Sequence, residues 1–345
     1  MLKWYEQNAA DGDVVISSRV RLARNLSKYP FPSKLTDEQA DELVDEVKEV
    51  TSSLTENQNR KFYSCSVSTL SDIDKTAMVE RHIVSPLLAE KKQVTGLILS
   101  EDETISIMIN EEDHIRIQAI VGGMNLEQAY EEANRIDDMT NEKLSFSYDE
   151  KYGYLTACPT NVGTGMRASY MVFLPALSSA RMMQKLMEEV SKYGVTIRGI
   201  YGEGTKSLGS IYQISNQKTL GISEREILEN LNRIVVQVVK QERKRREYML
   251  SVSADEIEDQ VYRTYGVLKY SRQISSTDAM TLLSQLKFGA DCGLIKFDRE
   301  FNVHQLMMGV QPGSLQWKLG KNVGSVSRDR SRADYIRKEL PDIIS

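Results

Sequence analysis

The sequence predicts an α+β protein: an antiparallel sheet flanked by helices, followed by an all-helical C-terminal part. Two observations point there. Strand-like runs between residues 94 and 215 come mostly in adjacent pairs instead of alternating strictly with helices, which disfavours a doubly wound parallel sheet. Beyond about residue 220 amphipathic helical runs follow one another and no strand pair is recognisable. We therefore divide the chain into an α+β part over 1–250 and a helical part over 251–345.

The elements follow in order. In "VVISSRVRLARN" (14–25), Arg19 and Arg21 are two apart, so on a strand both guanidinium groups share one face. Val20 and Leu22 take the other face, toward a core. Residues 36–54 carry Ala40, Leu43, Val44, Val47, Val50 and Leu54 at helical spacing, and Thr36 with Gln39 forms a capping-box signature. "VTGLILSEDETISIMIN" (94–110) reads as a hairpin around an acidic turn, and "IRIQAIV" (115–121) as the next strand. Residues 125–138 read as a helix capped by Asn125. Further strands fit 153–157, 168–174, 195–200 and 210–215, and a helix fits 177–192. A long helix begins at Ser223, where Ser223 and Glu226 make a second capping box. Helices over 255–268, 277–288, 302–309 and 328–340 follow. The basic cluster Arg243, Lys244, Arg245, Arg246 reads as a solvated helix face or else as a docking patch.

Composition narrows the function classes. The chain has 345 residues, 41% hydrophobic and 27% charged, as expected of a folded globular protein. Its net charge of −5 argues against a direct nucleic-acid partner. No run of about 18 apolar residues suggests a membrane span. The N-terminus lacks an apolar signal core. Cys65, Cys158 and Cys292 lie far apart and match neither a disulfide framework nor zinc spacing, which suits a reducing cytoplasm.

Four stretches concentrate chemistry. "SRVRLARN" supplies paired guanidinium forks suited to phosphate oxygens. "NEEDHIR" (110–116) packs Glu111, Glu112, Asp113, His114 and Arg116 directly after an apolar strand, an expensive cluster unless its charges find partners. "CPTNVGTGMR" (158–167) places Cys158 before a turn of small residues and Arg167, with the amides of Gly163, Thr164 and Gly165 available as an anion nest. "TIRGIYGEG" (196–204) brings Arg198 out of a β-branched run and sets Glu203 between two glycines. Five arginines suit a polyphosphate such as that of ATP. No Walker, HRD, DFG or Rossmann string is present, so ATP would be held by arginines and not by a P-loop lysine.

These strings, together with "YQISNQKTLG" (212–221), closely resemble the motifs of the phosphagen (guanidino) kinases, in the same order across about residues 14–222. The resemblance implies that fold and that chemistry, with ATP and Mg²⁺ as cofactors. By position, Ser18, Arg19, Arg21, Arg116, Arg167 and Arg198 would contact the nucleotide. Glu112 and Glu203 would bracket the guanidinium acceptor with Cys158 beside it, and Glu111 would act near the magnesium through water. His82, in "ERHIVSP", matches an adenine-contacting histidine less closely. A guanidinium cation lacks a free lone pair, so a carboxylate pair must orient and neutralise it before its nitrogen attacks phosphorus. Positioning of this kind supplies roughly 7–11 kcal/mol of barrier reduction. Cys158 is expected to be thiolate-like and to orient the acceptor without forming a covalent intermediate.

The sequence also departs from the family's metabolic members. Their Ser-Arg-Val-Arg motif follows a helical domain, whereas here it begins at Ser18, which leads us to expect an acceptor site open to a side chain on a whole protein. Met171 stands where many relatives have a histidine. The added helical part resembles that of the bacterial protein arginine kinases. That resemblance implies arginine-bearing protein substrates, including a heat-shock repressor, a zinc-binding activator protein, a Clp-type ATPase and protease, and a homodimer. In "SRDRSRADYIRKEL" (327–340), Arg328 and Arg332 lie one helical turn apart with Asp329 beside them, a set complementary to phosphoarginine. The alternatives are a kinase of free arginine and a non-catalytic adaptor that binds phosphoarginine.

Overall fold

The computed structural model describes residues 2–7, 9–52, 54, 60–200 and 207–344. Eight strands form one sheet: β1 (Val15–Arg24), β2 (Phe62–Ser66), β3 (Gly96–Ser100), β4 (Ile105–Ile109), β5 (Ile115–Gly122), β8 (Met166–Phe173), β9 (Val195–Gly199) and β10 (Ile211–Asn216). Their spatial order is β2-β3-β4-β5-β1-β8-β10-β9, and every pairing is antiparallel. A two-stranded ribbon, β6 (Tyr148–Asp149) and β7 (Gly153–Tyr154), lies apart from it.

One face of the sheet is a packed core. Val20, Leu22, Ile117, Ala168, Tyr170 and Ile214 point into it. They meet the apolar stripes of α1 (Asp37–Thr51), α4 (Leu126–Asn141), α6 (Met183–Ser191) and the first half of α7 (Glu224–Tyr270). The other face is shared. At the Trp4 end, Ile120, Met171, Phe173 and Ile211 join a second core built by α8 (Ser276–Asp291), α9 (Val303–Gly309) and α11 (Ser325–Glu339). The helical region thus packs on the sheet through a common apolar core.

Both predicted capping boxes form. Thr36 and Gln39 exchange bonds at α1, and Ser223 and Glu226 do so at α7. Asn125 does precede α4, but its side chain makes no cap there; its amide donates to the Gly122 carbonyl, and the backbone leaves at φ −124°. The predicted helix over 177–192 is two helices, α5 (Pro175–Ser179) and α6, separated by Arg181 at φ +57°. The Ser178 and Ser179 hydroxyls bond back to the carbonyls of Leu174 and Ala176, the competition with helix continuation expected of serine. The predicted strand over 153–157 shrinks to Gly153–Tyr154. The two predicted helices on either side of residue 253 are one helix, α7, which bends where Ser253 takes φ −142° and ψ 42°. The edge strand β2 and the helices α2 (Asp72–Glu80), α3 (Pro86–Glu90) and α10 (Pro312–Leu319) were not expected. An edge strand tolerates polar residues such as Ser64 on its open side, which blurs its alternation.

The basic cluster on α7 is not simply solvated. Arg243 reaches Asp11 and Asp13 at 2.8 and 2.6 Å, and the buried Arg246 pairs with the fully buried Glu242 at 2.8 Å. Glu242 in turn accepts the backbone N–H groups of Ala176 and Leu177 at the start of α5. No described helix is long and apolar enough to cross a membrane.

Candidate active site

Register across five strands assembles the site. Arg21 of β1 sits opposite Gln118 of β5 and Arg167 of β8, and Arg19 sits opposite Ile120 and Ser169. Arg116 of β5 is paired with Ala23, two residues on from Arg21. Gln213 of β10 faces Met171 of β8 and Arg198 of β9. Because side chains alternate along strands, these pairings put Arg19, Arg21, Arg116, Arg167 and Arg198 on one sheet face, opposite the main core.

Among the described residues, most of these cations are short of partners. Arg19 donates to Gln213 at 2.8 Å and, weakly, to Ser169 at 3.4 Å. Arg167 donates to Ser215 at 3.2 Å. The Nε–H groups of Arg21 and Arg167 are buried and make no hydrogen bond among the described residues. Burial, reinforced by the neighbouring arginines, lowers the proton affinity of Arg19 to a pKa of about 10 and that of Arg21 and Arg167 in the same direction. A cluster of this kind is costly until an anion arrives.

Arg116 is the exception. Its guanidinium bridges Glu111 at 2.8 Å and Glu112 at 3.2 Å. Glu111 is nearly inaccessible, and its oxygens also accept the Ser85 hydroxyl and the Glu112 amide. Glu112 is more open. Burial raises its pKa above the ordinary carboxylate range, Asp113 and Glu111 add to that, and Arg116 opposes it.

Glu112 and Cys158 face one cavity of about 230 Å³, walled by Arg21, Arg116 and Arg167 with Thr160 and Asn161. The Cys158 sulfur lies 3.1 Å from the Thr160 hydroxyl. Cys158 therefore does stand beside the acidic motif and the arginines. Asp113, a residue to which the sequence assigned no role, holds them together. One carboxylate oxygen accepts both the Asn25 amide and the backbone N–H of Ala157, each at 2.7 Å, thereby tying "RLARN", "NEEDH" and the Cys158 turn to one atom. His114 completes the seam: its Nδ1 accepts from the Leu26 N–H at 2.9 Å. Arg24, also unassigned, is fully buried, pairs with Asp137 at 2.8 Å and stacks on Tyr154 at 3.6 Å. A signal for Asp113 was available: a carboxylate between two apolar strands must accept buried donors.

Some expectations change. The amides of Gly163, Thr164 and Gly165 do not form a free nest, because each donates to a carbonyl, of Tyr154, Thr219 and Asn161 respectively. Gly163 is required there, since at φ +114° a Cβ would lie 2.1 Å from the Thr219 oxygen. Ser18 is not part of the arginine face. It has the opposite parity, is fully buried, and its hydroxyl is engaged by the Gly123 carbonyl and the Asn125 N–H. His82 lies at the other end of the face, lining a small gap with Trp4, Arg19, Ser169, Met171 and Gln213. Burial and then Arg19 push its pKa down to about 3, so the ring is neutral. Glu203 lies outside the described residues.

In the helical region, Arg332 is buried at 1% exposure. Its Nε donates to the Val310 carbonyl at 2.8 Å, and Nη1 donates to the Ile274 carbonyl and to Asp329 at 2.6 Å. Arg328 is half-buried, with its Nε–H lacking a partner among the described residues. Asp329 thus already has a guanidinium partner within its own helix.

Residues 42–245 match the family model described as ATP:guanido phosphotransferase, C-terminal catalytic domain, and residues 254–344 match that of the protein-arginine kinase McsB C-terminal domain. A protein-arginine kinase of Brevibacillus brevis is 42% identical over 337 residues, covering 98% of this chain and 94% of that protein. The chain belongs to the protein-arginine kinases. A Clostridium kluyveri protein-arginine kinase is 44% identical over 327 residues, covering 95% of this chain and 94% of its own. Among solved structures, the duplicated taurocyamine kinase of Schistosoma mansoni with bound transition-state-analogue components superposes with a TM-score of 0.62 at 26% identity over 73% of this chain. This kinase spans 37% of that duplicated chain. A lombricine kinase gives a TM-score of 0.60 at 24% identity, over 70% of this chain and 69% of its own, and shows the shared fold.

Proposed function

We propose that this kinase transfers the γ-phosphoryl group of ATP to the guanidinium of arginine side chains in proteins. The observation that carries the reading is the cavity in which Glu112 and Cys158 face Arg21, Arg116 and Arg167. It offers an anionic and a thiol contact to a planar cation on one side and the under-bonded guanidinium groups of Arg21 and Arg167 to phosphate oxygens on the other. The arginines compensate charge on the transferring group, while Glu112 orients the acceptor and stabilises its positive charge until the attacking nitrogen passes a proton to one of the two carboxylates, as the P–N bond forms and the bond to the ADP leaving group breaks. Glu203 is proposed as the second carboxylate. Cys158 is proposed to orient the acceptor; its Thr160 contact holds the sulfur at the wall.

Magnesium fits this site as part of the nucleotide. Among the described residues no group of three or more His, Cys, Asp or Glu side chains could cage a metal. Mg²⁺ characteristically keeps several waters and the substrate phosphates as ligands. Glu111, held by three donors, suits contact through water, and the ion would supply further charge compensation.

The decisive experiment treats an unfolded protein mixture and, separately, free arginine with the enzyme and MgATP, followed by mass spectrometry under non-acidic conditions. Acid-labile phosphate on protein arginines, absent with Glu112→Gln, is expected. Phosphorylation of free arginine alone would overturn the protein-substrate reading. We further propose that the marked proteins go to a Clp-type protease, that a heat-shock repressor is among them, that a zinc-binding activator engages the kinase, and that it dimerises.

We also propose that α11 binds phosphoarginine. Arg332 keeps only Nη2 uncommitted among the described residues, so Arg328 is the informative position. Arg328→Ala should weaken binding of a phosphoarginine peptide at least ~tenfold by calorimetry, the scale of one lost charged bond; unaltered affinity would remove the site.

A further inference from the structure

We infer that Glu80 is a positioning residue for the nucleotide end of the active site, acting through helix α10 of the C-terminal region. The inference rests on the reading that His82 lies at that end. Three successive residues make the connection. Glu80, the last residue of α2, accepts the backbone N–H groups of Gly313 and Ser314 at 2.8 and 2.6 Å, one with each carboxylate oxygen. These are unfilled donors of the first turn of α10, where a carboxylate is held both by direct bonds and by the helix dipole. Arg81, itself buried, lays its guanidinium over the ring of Trp317 of α10 at 4.7 Å and pairs with Glu103 at 3.1 Å. His82 then projects toward Arg19.

Two features show that the turn is held and not merely placed. His82 has φ +60°, the left-handed residue that closes α2: its N–H donates to the Val79 carbonyl at 3.0 Å and the Ile83 N–H to the Met78 carbonyl at 2.9 Å, so the turn is fixed by the helix end itself. Its carbonyl accepts from the Gln118 side chain at 2.8 Å, and Gln118 is the cross-strand partner of Arg21. This residue is therefore fastened on one side to the arginine-bearing sheet and on the other, through Glu80 and Arg81, to α10. The contact between α2 and α10 is also close. A Cβ on Gly313 would lie 2.7 Å from the Thr76 methyl and 2.8 Å from the Ala77 nitrogen. Upstream, Arg332 grips the Val310 carbonyl two residues before α10 begins, so the position of α10 is set from the helical side as well. The C-terminal helices thereby contribute to the shape of the nucleotide end, both through this linkage and by packing on Trp4 and Met171 of its lining.

The test measures steady-state phosphorylation of a protein substrate by the full-length enzyme at varied MgATP, for Glu80→Ala, Glu80→Gln and His82→Ala, with a thermal melt of each. The expected result is a KM for ATP raised about tenfold in Glu80→Ala with kcat within about twofold, and a smaller rise in Glu80→Gln, which keeps one acceptor oxygen. A loss of melting temperature and of kcat with unchanged KM would reduce Glu80 to a fold-stabilising residue and overturn the inference. Should Glu80→Ala fail to fold, an unchanged KM in Glu80→Gln does the same. His82→Ala separates the two readings. If it leaves the KM unchanged, the assignment of His82 to the nucleotide end falls, and the inference with it. If it raises the KM while neither Glu80 variant does, only the inference falls.

Discussion

Two arginines of the sheet face, Arg21 and Arg167, and one of α11, Arg332, are built in opposite ways. On the sheet, Arg21 and Arg167 keep buried N–H groups without partners among the described residues, and burial together with like charges weakens their hold on their protons. In α11, Arg332 is even less exposed, yet its Nε and Nη1 satisfy two backbone carbonyls and Asp329. The difference teaches that motif membership does not assign a role to an arginine. An arginine whose donors are already used holds the fold together. One whose donors are left over in a crowd of cations is waiting for an anion.

The largest expected effect breaks or upholds that contrast directly. Arg21→Ala should cut kcat/KM by about 10²–10³, the scale of removing one preorganised donor to a transferring group, while the melting temperature stays level or rises because like-charge crowding is relieved. Arg332→Ala should do the reverse in kind. Removing a buried, bonded cation and leaving Asp329 and two carbonyls without it should cost about 3 kcal/mol of stability, read by denaturant unfolding. If Arg21→Ala instead unfolds the protein, the sheet arginines are structural and the comparison fails.

A smaller effect concerns the seam beneath the cavity. Asp113→Ala frees the Ala157 N–H and the Asn25 amide that one carboxylate oxygen now joins. We expect kcat to fall by up to about 10²-fold, the consequence of misplacing the acceptor contact by about an ångström. The rate of Cys158 alkylation, with and without bound nucleotide, reports independently on that turn; an unchanged rate would show that Asp113 does not set it. The pH profile carries the smallest signal. In the proposed mechanism Glu112 acts as an anion, and its pKa is raised, chiefly by burial. Activity should therefore fall as pH drops, with the midpoint of the acid limb above the ordinary glutamate value of about 4.3. Glu112→Gln should remove that limb along with most of the rate.

Much of this fold was legible in the chain because its signals are local. The alternation of Val20 and Leu22 with Arg19 and Arg21 follows from strand geometry alone, and both capping boxes lie within four residues. What was missed has equally physical reasons. The Gly163 and Thr164 amides looked free because their acceptors, Tyr154 and Thr219, are set by how the chain returns, while that of Gly165 closes a local turn on Asn161. Ser18 was assigned with its neighbours although its parity on the strand turns it to the opposite face. The short helices α2 and α10 have few turns over which a period could show, and they are held by each other through Glu80 and Gly313.

By itself the sequence determined which residue types could do this chemistry, which face of each strand they occupy, and where the principal helices begin, since these depend on spacing along the backbone. Only the tertiary structure decided which charges meet. The register of β1 against β5 and β8 gathers the arginines, Asp113 fastens the Cys158 turn to the acidic motif, and Arg332 and Glu80 bind helices to what they pack on. The reason is that a buried charge or polar atom must be satisfied by whatever the fold brings within about 3 Å, and that neighbour can come from anywhere in the chain.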